Sequence, residues 1–506
     1  MAAGTALSRV TGLGRTVALA AALGVTAVAD AYNTANTAPL MIYTLAAGGV
    51  LTSALVPLLV RAEAREGEQR EAASVILGTA MAVALAVTLV ALAAAPLIMR
   101  ALTYGARDRS DYAAFLDLGT SWLRIFTPQI AFYALSVLTV GIMTARGRLA
   151  LGAFAPVATN VVTIGAVLVF MAMTAGAVLS PSSLGSGPVA TLGWGTTAGV
   201  GVMAILQWLG ARRSQPGLRF SVRLRHPAVR QLAAIGRWML LYVLVNQLGL
   251  AAVIAMANTV AGGVTAYQWA FMLMQLPYAV VAVSLYTAAL PSLARAADGR
   301  GDLSAAVAPV ARRATALLAP AAAGLWVLSR PAAAALVGVD DAPLVAAAIA
   351  GFAASLVPFT LFQLFTRVSY AFTDTRTPAL VNIAVNAVNV GVDLAVLTAI
   401  RSTSGRVTGL ALGHAASYVV GCVVLGRLLQ RRRGLSITAV LGGSGRVVAA
   451  VAAVTAVLVW VPVLGRIPDD RLVAAVMVVV GAAGGVVVYA VAGRVLRVPE
   501  LPRVRR

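Results

Sequence analysis

Five arginines stand inside long apolar runs of this chain: Arg9, Arg15, Arg124, Arg237 and Arg367. A guanidinium stays charged without water, and its planar fork of N–H donors meets phosphate or carboxylate oxygens two at a time. Several such groups around one cavity imply an anionic substrate. A phosphate on a lipid carrier fits better than a free nucleotide: nothing matches G-x-x-x-x-G-K-[ST], and the chain has no lysine. Arg9 and Arg15 are six residues apart, so on a helix their faces differ by roughly 120° and both can border one wide cavity. Snorkelling to an interface suits Arg9 as well as a cavity role, whereas Arg15 lies deeper and is expected in the cavity. For Arg124, Arg237 and Arg367 the alternatives are a helix end or an acidic partner.

The acids in or beside apolar runs are Asp30, Asp117 and Asp393. Asp30 is expected at the outer end of the first helix. Asp393 follows Asn382, Asn386 and Asn389 at spacings of four, three and four, which makes one helical stripe. That stripe is either helix–helix glue or a cavity wall. His226 lies in a basic loop; His414 is expected as a hydrogen-bonded structural residue rather than a pH sensor. The single cysteine, Cys422, allows no disulfide framework and no cysteine metal site. No catalytic constellation and no metal-ligand cluster stands out. Enzymatic chemistry and ATP-driven pumping are therefore disfavoured, and no cofactor is expected. Coupling to membrane potential or to a monovalent cation stays open.

The elements that must position these residues are membrane helices. The chain is 60% hydrophobic and 11% charged over 506 residues, with mean hydropathy +0.89; a soluble chain of this length needs far more polar surface. Apolar runs of twenty or more residues recur, without the alternation of a transmembrane barrel. Helices are expected near 6–28, 36–60, 74–98, 116–144, 154–176, 190–211, 231–256, 264–292, 314–337, 343–371, 378–400, 407–428, 444–464 and 472–493, about fourteen spans in an all-α integral membrane fold. No cleavable signal peptide is expected at the start. With the first residue in the cytoplasm, 26 of the 39 arginines fall in inside segments, eight outside and five within helices. That asymmetry fits the positive-inside rule with both termini cytoplasmic. It also accounts for the net charge of +22 without nucleic acid as a partner.

Residues 51–62, LTSALVPLLVRA, match residues 285–296, LYTAALPSLARA, at six of twelve positions. Each segment ends the second helix of its half. Six helices per half is an even number, so the halves are expected as parallel repeats with a cavity between them. The expected division is an N-lobe at 1–230, a C-lobe at 231–435 and a final helix pair with a short basic tail at 436–506. A duplicated scaffold without transport is the plainer alternative.

Ser8-Arg9-Val10-x-Gly12-x-x-Arg15, Ala29-Asp30-Ala31-Tyr32 and Gly49-x-x-x-Ser53-Ala54-x-Val56-Pro57 resemble the start of the MurJ/MviN family of lipid II flippases, within the multidrug and lipid-linked oligosaccharide exporter superfamily. Leu123-Arg124-Ile125-x-x-Pro128, Arg146-Gly147-Arg148 with Ala155-Pro156-Val157-x-x-Asn160, Gln275-Leu276-Pro277 with Leu290-Pro291, and Asp374-Thr375-Arg376-Thr377-Pro378 follow in the same order, so the resemblance covers residues 8 to about 400. The stretch from Ala31 to Thr37 resembles the actinobacterial branch.

The resemblance implies two six-helix lobes, a final pair forming a groove for a lipid tail, and outward movement of undecaprenyl-pyrophosphate-linked muropeptide across the bacterial plasma membrane. It implies pyrophosphate binding by cavity arginines, with Arg9, Arg15 and Asp30 at functional positions, and contact with membrane lipids and cell-wall synthesis proteins. The chain departs from the family at Tyr43, where an arginine is usual, at Phe271 and Met272, where an Asp-Arg pair is usual, and at Thr16, where an acid is usual. These departures leave open a related polyprenyl-linked glycan, or a cation or drug antiporter of the same superfamily.

Overall fold

The computed structural model describes residues 2–47, 66–148, 150–175, 177–227, 229, 237–442, 444–460, 470–498 and 500; among them there is no strand. A first compact unit, Met1–Ala261, contains α1 (Ala2–Leu23), α2 (Ala27–Ala47), α3 (Glu66–Ala93), α4 (Ala95–Leu102), α5 (Tyr112–Phe126), α6 (Gln129–Ala145), α7 (Ala150–Met173), α8 (Ser186–Ser214) and α9 (Arg237–Ala257). A second, Gly262–Arg506, contains α10 (Gly263–Pro277), α11 (Val283–Ala297), α12 (Leu303–Val327), α13 (Ser329–Val337), α14 (Ala342–Ala353), α15 (Leu356–Ala371), α16 (Arg376–Ala399), α17 (Thr403–Arg433), α18 (Ile437–Leu441), α19 (Ser444–Leu458) and α20 (Arg471–Val495).

Ten spans of the described residues are long and apolar enough to cross a bilayer, or twelve if the bent pairs α12–α13 (65°) and α14–α15 (47°) each count as one. The chain is thus an all-α, multi-pass membrane protein. α1 and α2, of 22 and 21 residues, are not among these spans. Leu472, Val479, Val486 and Val495 of α20 are exposed, as side chains bathed by lipid tails can be.

The first unit is built from close helix contacts. Gly24, at φ 60°, ends α1. Thr26 Oγ1 then accepts from Ala29 N at 3.2 Å and starts α2. The second helix therefore begins at Ala27 rather than near 36, and Asp30 sits in its first turn instead of at the outer end of the first helix. Tyr32 packs edge-on against Trp122 and Phe126, at ring-centroid distances of 5.5 and 5.4 Å. Gly199 of α8 lies against the Thr159 backbone, and Thr159 Oγ1 donates to Gly199 O at 3.0 Å; a small residue lets two membrane helices approach this closely. Asn258, just beyond α9, donates to Leu102 O at 2.9 Å, which ties α9 to α4.

In the second unit, a π-helical turn at Tyr278–Ala282 follows Pro277 and joins α10 to α11, as expected where proline interrupts a helical ladder. The second copy of the sequence repeat lies in α11; the first copy, with Gly49 and Pro57, lies outside the described residues. Gly351 of α14 meets Ala411 and the Thr408 carbonyl of α17, another glycine-mediated approach. The pair α19–α20 packs on α12 and α13 in this same unit.

Candidate functional site

A polar cavity of ≈ 320 Å³ opens within the first unit, lined by Ser8, Gly12 and Arg15 of α1, Asn36 of α2, Tyr133 of α6, Pro156, Thr159 and Asn160 of α7, and Thr196, Val200 and Met203 of α8. α1 is pinned beside it by Asn160, whose Nδ2 donates to Ser8 O at 3.1 Å and to Thr11 Oγ1 at 2.9 Å. Behind the opposite wall a relay is complete: Tyr133 Oη donates to Gln129 Oε1, Gln129 Nε2 to Thr197 Oγ1, and Thr197 Oγ1 to Ile125 O. Two cavity groups are left over. Arg15 Nε and Asn36 Oδ1 are enclosed without a hydrogen-bond partner among the described residues.

A charged side chain in the membrane interior costs roughly 2.5–3.5 kcal/mol on insertion scales, so an arginine with spare donors on a polar cavity calls for an anion. The fork geometry suits phosphate oxygens. Asn36, with a free acceptor, suits a hydroxyl or amide donor on the same ligand. Among the described residues no group of three or more His, Cys, Asp or Glu could hold a metal ion.

None of the other expected site residues lines this cavity. Arg9 is exposed, and Arg124, in the last turn of α5, is exposed. Asp30 is fully buried and is not part of the cavity wall. Arg237 opens α9, and its side chain lies outside the described residues. Arg367 is in the second unit, with its guanidinium 4.7 Å from the Tyr286 ring centroid, a cation–π contact. Asn36, Tyr133, Thr159 and Thr196 were not expected in the site. Their signal was weak: single polar residues in apolar helices are as often interhelical glue.

At Tyr43 and Phe271, where the resemblance implies charges, this chain packs aromatics. Tyr43 stacks at 6.0 Å on Tyr133 within a cluster of Ala84, Ala91, Ile130 and Ala134. Phe271 lies 5.4 Å from Phe352 and 5.5 Å from His414.

Two further features belong to the second unit. The polar stripe of α16 turns towards α17: Asn389 Nδ2 donates to Asp393 Oδ2 at 2.8 Å, and Gly413 lies directly against the Asp393 carboxylate. Asp393 is fully buried, and its Oδ1 has no hydrogen-bond partner among the described residues. His414 beside it is packed among Phe271, Phe352, Phe359 and Tyr418. Its Nδ1 also lacks such a partner, contrary to the hydrogen-bonded role expected of it. Secondly, a groove of ≈ 520 Å³ runs between α12, α13, α19 and α20; Tyr489 and Arg494 are its polar side chains and the rest of its wall is apolar.

The family model described as lipid II flippase MurJ matches residues 19–466. The chain belongs to the MurJ family. The lipid II flippase MurJ of Burkholderia cenocepacia is 32% identical over 395 residues, covering 75% of this chain and 74% of that protein. The probable lipid II flippase MurJ of Rhizobium meliloti is 30% identical over 399 residues, covering 75% and 71%. A solved lipid II flippase MurJ in an inward closed conformation superposes with TM-score 0.75 at 19% identity, over 98% of this chain and 99% of the other. An inward-facing multidrug MATE transporter of the MOP superfamily gives 0.66 at 13% identity, over 85% and 96%. MurJ membership makes the chain a transporter rather than an enzyme.

Proposed function

We propose that this MurJ chain moves lipid II, the undecaprenyl-pyrophosphate-linked peptidoglycan precursor, from the inner to the outer leaflet of the bacterial plasma membrane by alternating access. The observation that carries the reading is Arg15, a guanidinium with an unpartnered Nε on a polar membrane cavity, in a chain whose relatives are named lipid II flippases. The pyrophosphate is the anion that Arg15 receives. Arg9, Asp30, Arg124, Arg237 and Arg367 are proposed to meet the substrate at other stages of the cycle. The rocking bodies are the lobes at 1–230 and 231–435, and the groove beside α19 and α20 takes the lipid tail. Fourteen spans, with α1 and α2 among them, put both termini in the cytoplasm. Coupling to a proton or monovalent cation acts at Asp393, because a buried carboxylate on a spanning helix is costly and by default marks a functional site.

Depletion of the protein should trap lipid II in the inner leaflet and lyse cells; undiminished outward movement in its absence would overturn the reading. The aromatic packing at Tyr43 and Phe271 favours one alternative, a different polyprenyl-linked glycan whose head group needs fewer cations. Complementation of a lipid II flippase deletion separates the two.

A further inference from the structure

Beyond α20 the chain turns back on itself. Val498 N donates to Gly493 O at 2.8 Å and Arg497 N to Arg494 O at 3.1 Å, a helix stop that normally places glycine in the left-handed position. Here Arg497 holds it, at φ 51°. A non-glycine residue persists in that conformation only when its surroundings impose it.

Three contacts impose it. Arg446 of α19 donates from Nη1 to Arg497 O at 3.0 Å. Val498 is buried in one apolar cluster with Ala316, Val447 and Tyr489. Glu500, with its side chain only 6% exposed, forms an ion pair with Arg312 Nε of α12 at 3.2 Å. This last contact is incomplete: Arg312 Nε and Glu500 Oε2 are both enclosed without a hydrogen-bond partner among the described residues, so the pair is held by charge alone, and Tyr489 Oη is likewise unpartnered. A buried, half-satisfied carboxylate is a weak fastening.

These contacts lie at one end of the apolar groove. Tyr489 and Arg494 line the groove, and Leu317, next to Ala316, lines it from α12. The returning segment thus crosses from α20 to α12 over that end.

We propose that the segment carrying Leu496, Arg497, Val498 and Glu500 is a releasable strap over the end of the groove, with Val498 as its bolt and the Arg312–Glu500 pair as its latch. Latched, the strap shuts that end of the groove; released, it relieves the Arg497 backbone and opens a way in for an apolar chain. Reading that chain as the substrate's lipid tail rests on the proposed function, but the latch does not.

The test uses the full chain in proteoliposomes, with Cys422→Ser and a reporter Val454→Cys. Val454 lines the groove and is 1% exposed. The probe is a membrane-soluble maleimide. Glu500→Gln or Arg312→Gln should speed labelling about threefold to fivefold, as expected for loss of a partly exposed ion pair. The exchange Arg312→Glu with Glu500→Arg should return the parent rate. Unchanged labelling in the single variants, or labelling in the exchange variant as fast as theirs, overturns the strap. Lipid II movement measured in the same vesicles keeps the two readings apart. A parent protein that moves no lipid II while labelling responds in the variants sinks the substrate; a parent that moves it while labelling is indifferent sinks the strap.

Discussion

Asn160 on α7 holds Ser8 on α1: its Nδ2 donates to the Ser8 carbonyl oxygen at 3.1 Å. Ser8 is nearly two helical turns before Arg15, so this bond and its companion to Thr11 set the rotation of α1. That rotation turns Arg15 into the cavity and leaves Arg9 exposed. Asn160→Ala should lower stability by about 1 kcal/mol, in line with interhelical hydrogen bonds in membranes, and should impair transport by more than that loss explains. Thermal unfolding in detergent beside a vesicle translocation assay measures both. Transport that falls only in proportion to folded protein would refute the positioning role.

Arg15→Ala removes the unpartnered cavity cation. Loss of hydrogen bonds to a charged ligand, about 1.5–3 kcal/mol, predicts at least a tenfold fall in translocation. The fold should not weaken, since no protein partner is abandoned. Arg15→Lys should recover only part of the activity, because an ammonium lacks the planar fork. Growth of a flippase-depleted strain carrying each variant reads the outcome; normal growth with Arg15→Ala contradicts it.

Gly413→Ala drives a methyl into the Asp393 carboxylate. Overpacking of this kind costs roughly 1–3 kcal/mol and should part α16 from α17. The control is Gly391→Ala, where a Cβ meets nothing within 4 Å; it should be neutral or stabilise by about 0.5–1 kcal/mol through helix propensity. Melting temperatures of the two variants should move apart, and equal shifts would count against the packing.

Asp393→Asn keeps the shape of the side chain but removes its charge. The expected result is a folded protein whose transport no longer responds to an imposed Na⁺ or proton gradient. Retention of the parent's gradient response would exclude Asp393 as the coupling group.

Tyr43→Arg introduces the arginine that the resemblance implies at this position, but into a packed cluster with Tyr133, Ile130 and Ala134. With no acidic partner in that cluster, the new charge should destabilise by roughly 2.5–3.5 kcal/mol and should not raise transport. A variant that is both stable and faster would mean that Tyr43 faces the substrate path.

Much was legible before any coordinates. Apolar runs identify membrane helices because a bilayer offers the backbone no hydrogen-bond partners, and a helix satisfies them within its own segment. The order of short motifs identified the MurJ family, now matched over residues 19–466. The start of α2 was missed because Gly24 and Thr26 break a run that is apolar on both sides, and hydropathy does not register a one-residue change of backbone hand.

The residues that could bind an anion were visible from the sequence as arginines in apolar runs; where they point was not. Helical periodicity states that Arg9 and Arg15 are roughly 120° apart. It does not say which face α7 covers. Only the tertiary packing decided that, through the bonds from Asn160 of α7 to Ser8 and Thr11 of α1, which brought Asn36, Tyr133 and Thr196 around Arg15. It likewise set Asp393 against Gly413 and folded Glu500 back to Arg312. Local periodicity fixes the angles between residues on one helix, whereas a site depends on which helices meet, and that choice belongs to the packing of the whole unit.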